Sequence, residues 1–280
     1  MELWYTERQT EHLGITCKVE RTLLVEKTPF QELAVLETAQ FGRMLVLDGM
    51  VQTTERDEFV YHEMIAHVAM QTHPDPRRVC VIGGGDGGAV REVLKYPGVE
   101  RVTLVEIDRR VVEASREYLP TISSGLSDPR VECLFADGIE HVRERKGAYD
   151  VILVDSTEPV GPAVGLFSER FYASCYDSLT ERGVLVAQTE SPFFNEEILR
   201  KAARAIGRVF AVSRTYLASV PTYPSGLWSF TLGSKGVDPL EVEPNLEGIP
   251  TRYYTERVHR AAFALPRFVE ELLAFREGAE

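Results

Sequence analysis

The chain has 280 residues, 44% of them hydrophobic, enough for the core of one large α/β domain or of one domain plus a small appendage. Asp and Glu number 43 against 31 Lys and Arg, a formal net charge of -12 that argues against nucleic acid or an anionic membrane as the main partner. The segment starting Met1-Glu2-Leu3-Trp4 lacks the basic and apolar regions of a signal peptide, and no run approaches the roughly 18 apolar residues of a membrane span, so the expected location is the cytoplasm.

Residues 14–52 read as strands with no helix: Ile15 to Val25, Glu32 to Glu37 and Arg43 to Leu47 are rich in apolar and β-branched residues. Asp48-Gly49, set between Leu47 and the run Met50 to Thr54, is a hairpin signal. Residues 1–54 are thus expected to form a small antiparallel β-domain whose strand edges pair between subunits, giving a homodimer or homotetramer. Residues 55–280 are expected to form the second, larger domain. It opens with a helix from Glu58 to Met70, apolar at Phe59, Met64 and Val68, that His73-Pro74-Asp75-Pro76 terminates. His62 and His67 on this helix resemble a zinc motif with one residue too many. Five residues advance a helix by about 500°, so the imidazoles diverge, and a metal site is rejected. His62, with Tyr61, is instead placed at the edge of a cleft, since the helix leads directly into the strand that follows. His141 and His259 read as surface or packing residues.

That strand, predicted over 78–82, leads through Val79-Cys-Val-Ile-Gly-Gly-Gly-Asp-Gly-Gly-Ala89. Four apolar residues precede a glycine turn in which Gly83, Gly85 and Gly88 fit the spacing of a nucleotide-binding loop, and a helix follows over 87–96. Asp86 is foreign to a phosphate site, since a carboxylate repels phosphate and attracts a cation. The turn therefore points to a nucleoside that carries positive charge. Strands are then predicted over 101–106, 131–135, 150–154, 183–188, 209–217 and 227–233, and helices over 109–118, 137–145, 168–180, 195–207 and 266–276. Short apolar strands alternating with helices imply an α/β fold with a mostly parallel sheet covered on both faces, with ligands outside the strands' carboxyl ends.

Carboxylates collect at that edge: Asp86 after the first strand, then Glu106 with Asp108, Asp137 with Gly138, Asp155 with Glu158, and Glu190 as a fifth. Each alone also reads as a helix cap, Asp137 above all. Together they describe a cleft for a polycation, because crowded like charges are costly unless neutralised. Glu106 lies about 20 residues after Asp86, where nucleotide folds place the acid that binds ribose hydroxyls. The segment Ser156 to Leu166, rich in Pro and Gly, is placed as a lid over the substrate. The cysteines Cys17, Cys80, Cys133 and Cys175 form no C-x-x-C pair and read as core thiols in a reducing compartment.

These residues carry a resemblance. Phe30-Gln31, the run L-D-G-M-V-Q-T-T-E-R-D-E-F-V-Y-H-E-M from Leu47 to Met64, G-G-G-D-G-G from Gly83, V-E-I-D from Val105, Asp137-Gly138, D-S-T-E-P-V-G-P from Asp155 and P-T-Y-P-S-G from Pro221 resemble the polyamine aminopropyltransferases, specifically the bacterial spermidine synthases. The resemblance implies a Rossmann-like fold of the class I methyltransferase type. It implies transfer of the aminopropyl group of decarboxylated S-adenosylmethionine, a co-substrate, to putrescine, with no prosthetic group. By similarity, Gln31, Gly83, Gly85, Glu106, Asp137, Gly138 and Pro162 hold the nucleoside part and Asp86 the aminopropyl ammonium. Asp155 is the base, and Tyr61, His62, Glu158, Gln188, Tyr223 and Trp228 border the amine. Many members have Asp where this chain has Glu158, which lengthens the reach and bears on acceptor length. Two rival readings remain at this stage. One is a small-molecule N-methyltransferase, which must accept the methionine carboxylate that Asp86 repels. The other is a polyamine-binding protein without catalysis. An acceptor other than putrescine, such as agmatine or cadaverine, also fits an acidic channel.

Overall fold

The structure, a computed structural model, describes residues 2–157 and 161–274. The chain begins with a five-stranded antiparallel meander, β1 (Leu3–Arg8), β2 (Gly14–Lys27), β3 (Glu32–Thr38), β4 (Gly42–Leu47) and β5 (Met50–Thr54). The expected Asp-Gly turn closes the last hairpin. Leu47 pairs with Met50, and both turn residues take positive φ, 48° at Asp48 and 82° at Gly49, the geometry whose twist matches paired strands. Alternation along β3 and β4 gives the sheet two apolar faces. Leu33, Val35, Leu45 and Leu47 pack on Val111, Ala114, Leu119 and Ile122 farther along the chain, while Leu36, Met44 and Val46 cluster with Cys17, Val19 and Val51.

The rest of the described chain is a doubly covered seven-stranded sheet: β6 (Arg78–Gly83), β7 (Arg101–Glu106), β8 (Val131–Phe135), β9 (Tyr149–Asp155), β10 (Leu179–Gln188), β11 (Val212–Ser219) and β12 (Leu227–Ser234), in the order β11-β12-β10-β9-β6-β7-β8. Strands β6 to β10 are parallel, and β12 runs antiparallel to both neighbours. This is the mostly parallel, methyltransferase-like α/β sheet expected. Its order reverses at β6, which sits between β9 and β7, so the crevice opens where β6 ends. One face is covered by α1 (Glu58–Thr72) and α2 (Gly88–Val93), which bury Met64, Val68, Val90 and Val93 on Val79, Val81, Leu104 and Leu153. The other carries α4 (Gly138–Arg143), α5 (Glu169–Ser178) and α6 (Glu196–Val209), which pack Val142, Phe171, Tyr172 and Ile206 on Cys80, Ile82, Ile152 and Val154. Helix α3 (Arg109–Tyr118) joins the two sheets, and α7 (Glu256–Ala262) and α8 (Arg267–Leu273) finish the described chain. None of the described helices is long and apolar enough to cross a membrane.

Several boundaries differ from expectation. β1 and α7 were not predicted: β1 lies before the first turn signal, and α7 is a single short helix marked only by its Thr255 cap. Helix α2 stops at Val93 because Pro97 lies close behind it, and α4 ends at Arg143. β10 starts at Leu179, directly after α5, with a register irregularity before Val184. Helix α6 runs to Val209, which shifts β11 to Val212–Ser219, and α8 covers Arg267–Leu273 within the expected 266–276. All four cysteines are free; three are buried and Cys133 is half-buried.

Candidate active site

The glycine turn closes β6 against the end of β9. Gly83 and Gly84 take φ of 78° and 64°, and the Gly84 N–H donates to the Asp155 carbonyl at 2.8 Å. A Cβ on Gly83 would lie 2.2 Å from that carbonyl oxygen, and one on Gly84 would lie 2.7 Å from the Asp155 Oδ2. Only glycine lets two strand ends and a carboxylate approach this closely. Gly83, Gly84, Gly85 and Asp86 then form the floor of a cavity whose roof is β4 and β5 of the first sheet.

Glu106, at the end of β7, faces this cavity and is buried. Its Oε1 accepts from the Asp108 N–H at 2.9 Å, and the Gly85 and Ile107 N–H groups also point to it. Burial outweighs these bonds and pushes its carboxyl up to about 7. Asp108 caps α3 through the Arg110 N–H at 3.0 Å and takes hydrogen bonds from Thr28 Oγ1 at 2.7 Å and Gln31 Nε2 at 3.0 Å. This clip holds Gln31 on the cavity wall beside Glu106. Asp137 satisfies both readings of it. It caps α4 through the Ile139 N–H at 2.8 Å, and with Gly138 it lines the cavity.

Asp155 stands at the end of β9. Its Oδ1 accepts from the Tyr61 hydroxyl at 2.7 Å, while Oδ2 is shielded from solvent and has no hydrogen-bond partner. Burial, then the charge of Asp86, push its carboxyl up to about 6. Asp86 accepts from the Gly88 N–H at 2.7 Å through Oδ1, and its Oδ2 is 3.3 Å from His62 Nε2. Burial opposes its charge, yet His62 and the Gly88 N–H hold it below the ordinary carboxylate value. Two acids thus sit side by side in different states of readiness, one firmly ionised and one poised near neutrality.

An aromatic wall continues from Tyr61. Its ring centroid lies 5.4 Å from that of Tyr223, and Tyr223 meets Trp228 edge-on at 4.8 Å. The Tyr223 hydroxyl donates to the Gln52 carbonyl at 2.5 Å, and the buried Trp228 Nε1 has no protein partner. Gln188 completes the wall, its amide donating to the Ser156 carbonyl at 3.1 Å and to Glu190 at 3.0 Å.

Two expectations are corrected. Glu190 is fully buried behind Gln188, at φ 73° and bonded to Asn195, so it is not a fifth acid of the cavity. His62 is 2% exposed and stands behind Asp86 instead of bordering the cavity, because its two nitrogens are taken by Asp86 and Glu58. His67 turns to Glu92 and Tyr96, so the two imidazoles of α1 do diverge. Glu158 lies outside the described residues, as does the side chain of Pro162. Of the expected lid, Ser156, Thr157, Ala163 and Leu166 line the cavity on either side of that gap. His141 and His259 are buried packing residues bonded to Tyr149 and Tyr254. Sequence reasoning missed the contribution of the first sheet. Glu7 of β1, Leu45, Leu47, Met50, Val51 and Gln52 all line the cavity. The run from Leu47 to Gln52 was noticed as a motif, whereas Glu7 sat in an unrecognised strand.

Comparison with known proteins gives the same picture. Residues 58–242 match the family described as spermine/spermidine synthase domain, and residues 3–55 match the one described as spermidine synthase tetramerisation domain. The chain is 58% identical over 279 residues to a polyamine aminopropyltransferase of Moorella thermoacetica, covering 99% of each chain. It is 57% identical over 274 residues to one of Caldicellulosiruptor bescii, covering 98% of this chain and 99% of that one. A solved spermidine synthase in complex with the transition state analogue AdoDATO superposes with a TM-score of 0.94 at 46% identity, covering 97% of this chain and 94% of that one. The spermidine synthase from Thermotoga maritima superposes with a TM-score of 0.92 at 45% identity, with the same coverage.

Proposed function

The chain belongs to the spermine/spermidine synthase family, and from that premise we propose that it transfers the aminopropyl group of decarboxylated S-adenosylmethionine to putrescine, giving spermidine and methylthioadenosine. The observation that carries this reading is Asp155. Its Oδ2 is the one carboxylate oxygen of the described cavity that is shielded from water and left without a hydrogen bond. A diamine is mostly protonated at neutral pH, since alkyl ammonium groups titrate near roughly 10. Asp155 accepts the ammonium proton. The freed nitrogen lone pair attacks the methylene carbon next to the sulfonium, and the carbon–sulfur electrons leave to sulfur. The leaving group is a neutral thioether, so no oxyanion has to be stabilised, and holding the two reactants in line supplies much of the rate.

The remaining roles follow from position. Glu106 takes the ribose hydroxyls. Gln31, Gly83, Gly85, Asp137, Gly138 and Pro162 surround the nucleoside. Asp86 binds the aminopropyl ammonium, with His62 behind it. Tyr61, Glu158, Gln188, Tyr223 and Trp228 line the acceptor channel. Asp86 also selects the cofactor, because its charge repels the methionine carboxylate that an N-methyltransferase must hold. An acceptor panel of putrescine, cadaverine, agmatine and spermidine ranked by kcat/KM tests the acceptor, and a first rank for any amine but putrescine overturns that part.

We further propose that residues 1–54 form the oligomerisation unit and 55–280 the catalytic one. Leu3 and Trp4 of the terminal strand β1 are exposed, which supports pairing between copies. A homotetramer or homodimer is expected in light scattering, and a monomer refutes it. Four unpaired cysteines support a reducing, cytoplasmic location.

A further inference from the structure

Behind the cavity floor runs a chain of alternating charges that the transfer reaction does not itself use. His62 lies one turn after Glu58 on α1. Its Nδ1 is 2.6 Å from Glu58 Oε2 and its Nε2 is 3.3 Å from Asp86 Oδ2. Glu58 is gripped in turn by both terminal nitrogens of Arg91 from α2, at 3.0 and 2.8 Å. Arg91 also contacts Glu92 at 3.0 Å. Both partners of the imidazole are carboxylates. An imidazole that meets two acceptors satisfies both only with a proton on each nitrogen, as imidazolium. The packing fixes the ring further. A Cβ on Gly88 would lie 2.2 Å from it, and Tyr61 meets it edge-on at 5.5 Å.

The charged and titratable groups around His62 come from every element packed on it. Glu58 and Tyr61 belong to α1, Asp86 to the glycine turn and Arg91 to α2. Asp155 ends β9, and Tyr223 belongs to the loop before β12. Without a cation between them and solvent, Asp86 and Asp155 are neighbouring like charges in a buried site, and one of them takes up a proton. We propose that Glu58, anchored by Arg91, is a positioning residue that fixes His62 as an imidazolium, and that this buried cation keeps Asp86 and Asp155 ionised together in the empty cleft. The consequence is catalytic: the base is ready before a cationic substrate arrives to neutralise the site. The directions of the titrations agree. Despite burial, Asp86 and Glu58 hold the His62 proton well above the usual imidazole range, and the charge of His62 lowers Asp155.

The inference rests on Asp155 acting as the base. Its test is the pH dependence of kcat/KM for the nucleoside co-substrate in Glu58→Gln, which keeps an acceptor for Arg91 but removes the charge. The acid limb of kcat/KM reports the free enzyme, where Asp155 and Glu106 must be ionised, and the Glu106 contribution is common to both proteins and cancels in the ratio of variant to parent. Without Glu58 the imidazole gives up its proton nearer neutrality, so the limb moves up by about one pH unit. The expected loss is about threefold at pH 6.5 and approaches tenfold near pH 5, with the parent's value recovered at pH 8.5. A misfolded variant loses activity equally at both values. The charge is read independently by nitrogen NMR of histidine-labelled full-length protein. His62 should show the imidazolium pattern from pH 6 to 9 in the parent and titrate within that range in Glu58→Gln. Superimposable pH profiles, or a neutral His62 at pH 7 in the parent, overturn the proposal. If the parent transfers no aminopropyl group at all, the functional reading fails instead, and the NMR result still decides the charge of His62.

Discussion

Replacing Asp155 by Asn should make the empty protein more heat-stable while removing its turnover. The structure holds the Asp155 carboxyl at about 6 against the ordinary 3.8, burial being the first cause and the neighbouring Asp86 the second. A shift of about two units corresponds to roughly 3 kcal/mol at about 1.36 kcal/mol per unit. Asp155 as a whole is only half-buried, so solvent screens part of that, leaving about 1–2 kcal/mol. The sign follows from the direction. A carboxyl raised in the folded state weighs against folding when ionised, so the penalty is absent below pH 4, grows between pH 4 and 6 and is complete above 6. Asn keeps an acceptor for the Tyr61 hydroxyl and cannot ionise, so Asp155→Asn removes the penalty. At about 2 °C per kcal/mol for a chain of this size, the variant should melt about 3 °C higher than the parent at pH 8, with the difference vanishing toward pH 4.5. Thermal unfolding of both proteins without ligand, at one protein concentration and across this pH range, measures it. A variant that melts lower at pH 8, or by the same margin at every pH, refutes the reasoning that Asp155 is a charge held at a cost for function.

Three further outcomes are expected. Glu106, raised to about 7 by burial, must ionise to accept ribose hydroxyls, so methylthioadenosine should bind up to about tenfold more weakly per pH unit below 7. Calorimetry should show a flat pH dependence in Glu106→Gln, and a flat one in the parent contradicts the assignment. Gly88→Ala puts a methyl group 2.2 Å from the His62 ring and should destabilise the fold by about 1–3 kcal/mol in urea unfolding, whereas an unchanged midpoint means the ring moves freely. Asp86→Asn should lower discrimination against intact S-adenosylmethionine by about tenfold in a competition assay with the decarboxylated form, and equal discrimination in variant and parent removes Asp86 as the selector.

The parallel sheet was legible because each strand is a short apolar run ended by a turn signal, and Gly83 to Gly88 marked the crevice. Chain order also showed the acids after β6, β7, β8 and β9, because in a parallel sheet those strands end on one edge. The same logic failed for Glu190. It follows β10, but a left-handed backbone turn at that residue sends it inward against Gln188 and Asn195. His62 was assigned to the right neighbourhood and the wrong layer, since a sequence shows that an imidazole is near two acids without showing that both claim it. The roof of the cavity was the least legible part. Glu7, Leu45 and Val51 reach the site only through the docking of one sheet on another, and no local pattern records that contact. The Gln31–Asp108–Thr28 clip is of the same kind, joining residues about 80 positions apart.

One incubation tests aminopropyl transfer most directly: the purified chain with putrescine and decarboxylated S-adenosylmethionine, beside a parallel run with the intact cofactor, both followed by mass spectrometry. The prediction is methylthioadenosine and spermidine in equal amounts from the first run, and no product from the second. S-adenosylhomocysteine from the second run, or no turnover in either, would contradict it.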